Sequence, residues 1–343
     1  TDAILAILDG MGLRSGDHLL STAYTIQPLV RTLIARGYDL ELLDISPEDC
    51  NLDVDDLARR LRPQTKAVIV THMFGTPARM DEIRGIVSDH PCALIEDAAH
   101  AHGADYRGVR CGALGDAAFF SFDQVKPLST FGGGMVVTDR GDLAATIRRA
   151  LAADEAPPNR YAAVAMGFTE HGLVNSPLFT LLAQAMRMEA LRRGVATLYR
   201  TLDRRPEHRN RRLSPLQAVL GLGQLGHLEE RLARRRRNAS LLRSRCRGLR
   251  PQGVPEGAVP SYHKFTVLAP GDSTGVRDAL LRSGIDAGIK DDINQPCHRL
   301  LSRSDAEYPG TTRAHDGLLE LPAYETLSPE QLEIIADALG RFE

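Results

Sequence analysis

The sequence has almost no net charge, no paired-cysteine motif and no long apolar run, and each absence closes off a class of function. Basic and acidic residues number 42 and 44, a formal charge of −2, which gives no general electrostatic case for binding nucleic acid. Five cysteines, Cys50, Cys92, Cys111, Cys246 and Cys297, are odd in number, widely spaced and never in a CxxC pair. They read as reduced cytosolic thiols, not as a disulfide frame or zinc site, and no metal is expected. No stretch approaches the ~20 apolar residues of a membrane span and no basic-then-apolar signal opens the chain, so a cytoplasmic enzyme is the default. Gly132–Gly134 do not form a GxGxxG between a strand and a helix, which argues against a dinucleotide site.

What is present is an alternation of short apolar runs with helical periodicity. Ile4, Leu5, Ile7, Leu8 and Leu13 are spaced for a helix behind the polar start at Thr1 and Asp2. Strands are expected over 18–21, 40–45 and 67–71, with helices over 26–35 and 54–61 between them, which predicts βαβ units and a mostly parallel sheet. Apolar runs over 93–95, 117–122 and 135–138 have the length of buried strands, and a helix over 143–151 follows. Residues 154–169 read as loop. Residues 173–202 read as one or two amphipathic helices, with apolar positions on one face and arginines on the other. Such a face could lie on a membrane surface or an acidic partner; packing over the active site or at a dimer interface is the ordinary reading. Further on, a strand over 262–268, a helix over 274–283 and a loop over 289–309 are expected. At 343 residues the chain is long enough for two domains.

The chemistry concentrates between residues 93 and 139. Asp97 closes the first of the three runs, at a strand's carboxyl end, where ligands collect in open α/β sheets. Lys126 follows the second run by four residues. As a pair alone these two would make an ordinary surface salt bridge. The surrounding pattern is EDAAHAHGA over 96–104, GALGDAAFFSF over 112–122, then Lys126, then GGGMVVTD over 132–139. In this it resembles the DegT/DnrJ/EryC1/StrS family of fold-type I enzymes that use pyridoxal 5′-phosphate (PLP), most of which are sugar aminotransferases. NRRLSPLQAVLGLGQLGHLEERLARRRRNA over 210–239 and LPAYETLSPEQLEIIADALGRF over 321–342 extend the resemblance to most of the chain. It fades over 151–208, and the N-terminal arm found in the family is expected to be missing here.

The resemblance implies an α/β fold with a large PLP-binding domain over 1–212, a helical insert at about 173–205, and a small α+β domain over 213–343. It places Lys126 on the lysine that condenses with the PLP aldehyde and Asp97 on the acid that keeps the pyridine nitrogen protonated. Freed from the cofactor, the lysine amine can shuttle a proton. His100 stands where the family often has glutamine beside the ring oxygen, and Ser121 where a serine donates to the phosphate. Thr1, at a helix start, is a phosphate candidate; an ordinary helix cap is the equal alternative. Arg212 matches a residue that reaches the phosphate of the neighbouring subunit, which implies a homodimer with a shared site. The aromatic that covers the ring in the family aligns with Ile26, so either Tyr24 takes over the stacking or Tyr24 is half-buried packing. His72, His102 and the basic run Arg231 and Arg234–Arg237 read as structural, the run as a solvated face.

The expected activity is transfer of an amino group, from glutamate, to a ketone on a nucleotide-linked sugar or related polyol-type substrate. The alternatives are a PLP-dependent sugar dehydratase or other lyase, and a non-catalytic PLP-binding regulator. Dehydratases of this kind carry histidine at the lysine position, so Lys126 argues against the first.

Overall fold

The computed structural model describes residues 1–153, 172, 212–289 and 296–342. The loop expected over 154–169 and the helices expected over 173–202 lie outside the described residues.

Eight strands come from the first part of the chain: β1 (His18–Thr22), β2 (Asp39–Leu43), β3 (Thr65–Thr71), β4 (Ala93–Asp97), β5 (Asp105–Tyr106), β6 (Val109–Arg110), β7 (Ala117–Ser121) and β8 (Gly134–Val137). Six of them form one sheet in the order β2-β1-β3-β4-β7-β8. Its first five strands run parallel, and β8 returns antiparallel to β7. Both faces are covered, which is why these strands read as continuous apolar runs. Leu19, Ile69 and Ile95 point to one face, where α1 (Asp2–Gly10), α2 (Gln27–Ala35) and, later in the chain, α5 (Gly141–Ala152) bury Ile4, Ile7, Leu29, Leu33, Leu143 and Ile147. Their neighbours Leu20, Val68, Val70 and Leu94 point to the other face, under Leu57 of α3 (Val54–Arg60) and Ile83 of α4 (Met80–Val87). The two-residue period of the strand thus divides each apolar run between two cores.

The rest of the described chain comprises α6 (Pro215–Leu225), α7 (Leu228–Arg245), β9 (Arg250–Pro251), β10 (Ala258–Val259), β11 (Phe265–Leu268), α8 (Thr274–Arg282), β12 (Gly288–Ile289), α9 (Pro309–Gly317), β13 (Leu318–Leu321) and α10 (Pro329–Leu339). An antiparallel sheet, β12-β13-β11-β9, buries Val267 and Leu319 against Ala239 and Leu242 of α7 and Ile335 and Leu339 of α10. The first residues of α9 dock on the main sheet through Asp44. Its buried carboxylate accepts from the Gly310 and Thr311 N–H groups at 2.8 and 2.7 Å and from the Thr311 hydroxyl at 2.8 Å. A side chain on residue 310 would run into the Ile45 carbonyl, so only glycine allows this approach.

Three expectations need correction. The strand expected from 262 begins at Phe265, because Tyr262 is left-handed (φ 48°) and turns the chain before the ladder starts. Within the loop expected over 289–309, described residues Cys297–Leu301 form a 3₁₀ turn. Its His298 is fully buried, stacked on Tyr308 at 4.4 Å and bonded to Asp305 at 2.8 Å. The basic run is not simply a solvated face: Arg235 is 8 % exposed and reaches Glu325 at 2.6 Å, and Arg231 meets the same carboxylate. Its partner lies 90 residues away, where no local pattern reveals it. Among the described residues no helix is long and apolar enough to cross a membrane, and all five cysteines are free thiols.

Candidate active site

The parallel strands β3, β4 and β7 end together, and their carboxyl ends carry Thr71, Asp97 and Ser121. Asp97 is 4 % exposed. Its carboxylate accepts from the Ala99 N–H at 3.1 Å and, at a long 3.4 Å, from the Thr71 hydroxyl. Burial pushes its pKa up, and the nearby Lys126 ammonium only partly opposes this. The preceding residue, Glu96, points to the opposite face and is pinned there. Its oxygens accept from the N–H groups of Gly112, Leu114 and Gly115 and from the His72 Nε2–H at 2.9 Å. His72 in turn accepts the Ala78 N–H on Nδ1 at 3.1 Å, which fixes the neutral Nε2–H tautomer. Cys111 lies within reach of this pair, as the third of three possible metal ligands. The hydrogen bonds already in place give Glu96 and His72 a structural role, holding β4 so that Asp97 is aimed at the other side.

Lys126 stands in the loop that leaves β7, and its own N–H closes a turn onto the Asp123 carbonyl. It is half-buried. Burial lowers its pKa to about 8, against the opposing pull of Asp97 and Asp123. The loop is held by α6. Gln217, fully buried, donates from Nε2 to the carbonyls of Thr130 and Gly132 at 3.0 and 3.1 Å. Gln224, two turns on and on the same face, bonds both the N–H and the carbonyl of Ser129. Gly133 (φ 101°) brings the loop against Leu213, where any side chain would collide. The glycine turn is thus fixed from α6, not flexible by itself.

His100 follows Asp97 on the loop after β4. The Phe74 N–H donates to its Nδ1 at 3.3 Å, so the neutral ring carries its proton on Nε2. Burial, then the Lys126 and Lys264 ammonium groups, hold its pKa well below the usual histidine value. Phe74 is itself left-handed (φ 58°), a conformation that lets its N–H reach His100 and its carbonyl accept from the Lys264 N–H at 3.3 Å. The His263 ring lies 4.5 Å from that of His100. Arg235 holds the His263 turn by donating to the carbonyls of Tyr262 and His263 at 3.2 Å each. His102 is buried between Phe120 and Phe122, its pKa pushed down to about 3 by that burial.

Ser121 pairs with Gly134, and a Cβ on Gly134 would meet Ala3. The first turn of α1 is therefore next to the end of β7, and Thr1 occupies the N-cap position of that helix without capping it through its side chain. Arg212 is exposed, and its Nε donates to the Leu151 carbonyl at the end of α5. Lys126, Asp97 and His100 thus converge, Ser121 and the α1 start adjoin each other, and Arg212 faces outward. Tyr24 is the exception. It is 1 % exposed, set edge-on to Phe74 at 6.4 Å in a cluster with Ile45, Met73 and Leu318. It lies deeper than the half-buried place expected for packing, and its surroundings are those of a core residue. Ile26 is 43 % exposed. An open cavity of about 680 Å³ lined by Asp272, Asp305, Thr312, Arg313 and Asp316 shares no residue with this group.

The description of the DegT/DnrJ/EryC1/StrS aminotransferase family matches residues 1–340. The chain belongs to that family. It is 30 % identical over 276 residues to the L-glutamine:2-deoxy-scyllo-inosose aminotransferase of Streptoalloteichus tenebrarius, a match covering 80 % of this chain and 58 % of that protein. It therefore spans about three-fifths of that relative's length. Identity to the GDP-perosamine synthase of Caulobacter vibrioides is 31 % over 352 residues, covering 99 % of this chain and 83 % of that one. The crystal structure of S. venezuelae DesV superimposes with a TM-score of 0.77 at 25 % identity, covering 99 % and 81 % of the two chains. Aminotransferases of the family share this α/β architecture, with its mostly parallel sheet.

Several members of the site are not given a role by any local motif. His263, Lys264 and Arg235 reach it from more than 100 residues beyond Lys126, and Gln217 and Gln224, though inside the 210–239 segment that carries the resemblance, act on a loop more than 80 residues earlier. The available signal was compositional: two glutamines seven apart on a helix with an otherwise apolar sequence, and a His-Lys pair opening a strand.

Proposed function

We propose that this chain is a PLP-dependent aminotransferase that moves an amino group from glutamate to a ketone of a nucleotide-linked sugar or related polyol. The observation that carries this reading is the half-buried Lys126 amine, with its pKa lowered to about 8, placed with buried Asp97 and the Nε2–H of His100 at adjoining strand ends. The donor set fits the cofactor. Asp97 is a buried carboxylate with an incompletely met need for positive charge, as a partner for the pyridine nitrogen should be. His100, locked in its Nε2–H tautomer, has a donor for the ring oxygen. Ser121 and Thr1, at the end of β7 and the start of α1, suit a phosphate. When bound, the cofactor supplies an aldehyde that traps amines and a ring that stabilises negative charge on the adjoining carbon. Lys126 then acts twice. Its Nζ holds the cofactor, and once displaced takes and returns a proton. The names of the inosose aminotransferase and the perosamine synthase support a sugar-like ketone as acceptor.

The site is inferred to be shared between two copies. The face of α6 opposite Gln217 and Gln224 exposes Leu216, Val219, Leu222 and Leu225, between 36 % and 69 % each. This stripe adjoins Arg212, which suits a second copy docking there and receiving Arg212 at its phosphate. Substituting Leu222→Glu is expected to shift the sedimentation coefficient from that of two chains to one; an unchanged value would remove this interface. We further infer a division near residue 212 into a large cofactor-binding domain and a small C-terminal one, supported by the six-stranded sheet lying wholly before residue 212 and by the antiparallel sheet β12-β13-β11-β9 and the core on it lying wholly after; β10 on β5, and Cys297 and Tyr308 in the first core, tie the two together.

The absorption spectrum tests the activity. Protein supplied with PLP is expected to show a visible band, and added glutamate should bleach it as the cofactor takes up the amino group. No band at all would end the reading, and a band indifferent to every amino donor would leave only cofactor binding.

A further inference from the structure

Only four of the 42 Lys and Arg residues are lysine: Lys66, Lys126, Lys264 and Lys290. In a chain that meets its need for positive charge with arginine, two of the four stand at one site. Lysine offers there what a guanidinium cannot, a compact and strongly hydrated point charge on a thin stem. Lys126 has its role through the cofactor. Lys264 has none in that scheme.

Lys264 is placed with care. Its N–H donates to the Phe74 carbonyl, and the Phe74 N–H donates to His100. The residue before it, His263, sets its ring 4.5 Å from that of His100 and is held by Arg235. The Lys264 side chain is 27 % exposed, and its Nζ lies 3.1 Å from Oε2 of Glu320, whose side chain is 17 % exposed. Glu320 sits on β13 opposite Thr266, so the two charges are diagonal neighbours on one sheet face, next to the site and not out in solvent. The ammonium is close enough to lower the pKa of Lys126, His100 and His263 alike. A partly accessible cation on the antiparallel sheet is therefore tied through Phe74 and His263 to His100, and so borders the site.

An amino-acid donor brings one feature that the cofactor-binding residues do not serve. Its carboxylate must stay ionised and be oriented while its amine is presented beside Lys126. We propose that Lys264 binds the carboxylate of the amino donor, and of the oxo acid the donor becomes, with Glu320 holding the ammonium in position until that carboxylate arrives. The proposal rests on the aminotransferase reading.

The test uses the full chain supplied with PLP, as wild type, Lys264→Met and Lys264→Arg. The visible band should appear in all three; its absence from the wild type would sink the aminotransferase reading itself and not this assignment. The glutamate concentration that half-bleaches the band in a single turnover should rise about 10- to 100-fold in Lys264→Met, the worth of one charge-assisted hydrogen bond. Lys264→Arg, which keeps the charge but not the compact head, should recover only part of that loss. Glutarate, a dicarboxylate with no amine, should raise the melting temperature of the wild type and not of Lys264→Met. Bleaching by a primary amine without a carboxylate should be equal in both. Unchanged half-saturation by glutamate in Lys264→Met would overturn the assignment. So would an equal loss toward the carboxylate-free amine, which would mark a structural effect, or a loss confined to the keto substrate, which would mark an acceptor subsite.

Discussion

Substituting Lys126→Ala should remove the visible cofactor band and lower turnover by at least about 10²–10⁴-fold, the usual worth of a positioned proton-transfer group. The loss should exceed that range where the same amine also anchors the cofactor. The pH dependence follows from the direction of the shift. A primary amine captures an aldehyde only when uncharged. At the ordinary value of 10.5 about one lysine in three thousand would be uncharged at pH 7, but with Lys126 lowered to about 8, about one in ten is. The rate at which the cofactor-free protein captures PLP should therefore rise about tenfold per pH unit below 8 and level off above it. Stopped-flow absorbance across pH 6 to 10 measures this. A rise continuing to pH 10 would mean that burial does not lower this amine.

The strand framework and the Lys126–Asp97 pair were legible because both are written locally. β1, β3, β4 and β7 are short apolar runs bounded by turn residues, and burial on two faces leaves no alternation to blur them. Asp97 closes one run and Lys126 follows the next by four residues, within a motif of some forty residues. What was not legible depends on partners distant in sequence. Arg235 belongs to a run of four arginines, and nothing nearby says that one of them is buried on Glu325 and on the turn that carries His263. Gln217 looks like any capping-box residue, yet its amide spans the 85 residues back to the Gly132 carbonyl. Tyr24 was undecided because a tyrosine with a polar tip suits a site edge and a core equally. Its place beneath Phe74 comes from β13 and α9, nearly 300 residues on.

Asp97→Asn is expected to separate stability from activity. The group is a carboxyl whose folded pKa is raised by burial, so between its unfolded value and the folded one the folded chain binds more protons than the unfolded chain. Stability contributed by this group is therefore lost as pH rises through that window, and at neutral pH the cofactor-free protein carries the full penalty of a buried, under-compensated charge. Asparagine keeps the shape and can still accept from the Ala99 N–H, without the charge. The cofactor-free variant should consequently melt at a higher temperature than the wild type at pH 8, with the difference shrinking toward pH 4. The cofactor reverses the comparison, because a protonated pyridine nitrogen is the positive charge that Asp97 lacks. PLP should raise the melting temperature of the wild type by more than that of Asp97→Asn. The half-reaction with glutamate should fall by about 10²–10³-fold, the scale on which removal of one preorganised electrostatic contact acts. Melting curves with and without PLP at the two pH values, alongside the bleaching rate, decide it. If cofactor-free Asp97→Asn is no more stable than the wild type at pH 8, the buried carboxylate is not held under strain for the cofactor; if the bleaching rate also persists, Asp97 does not face the ring nitrogen.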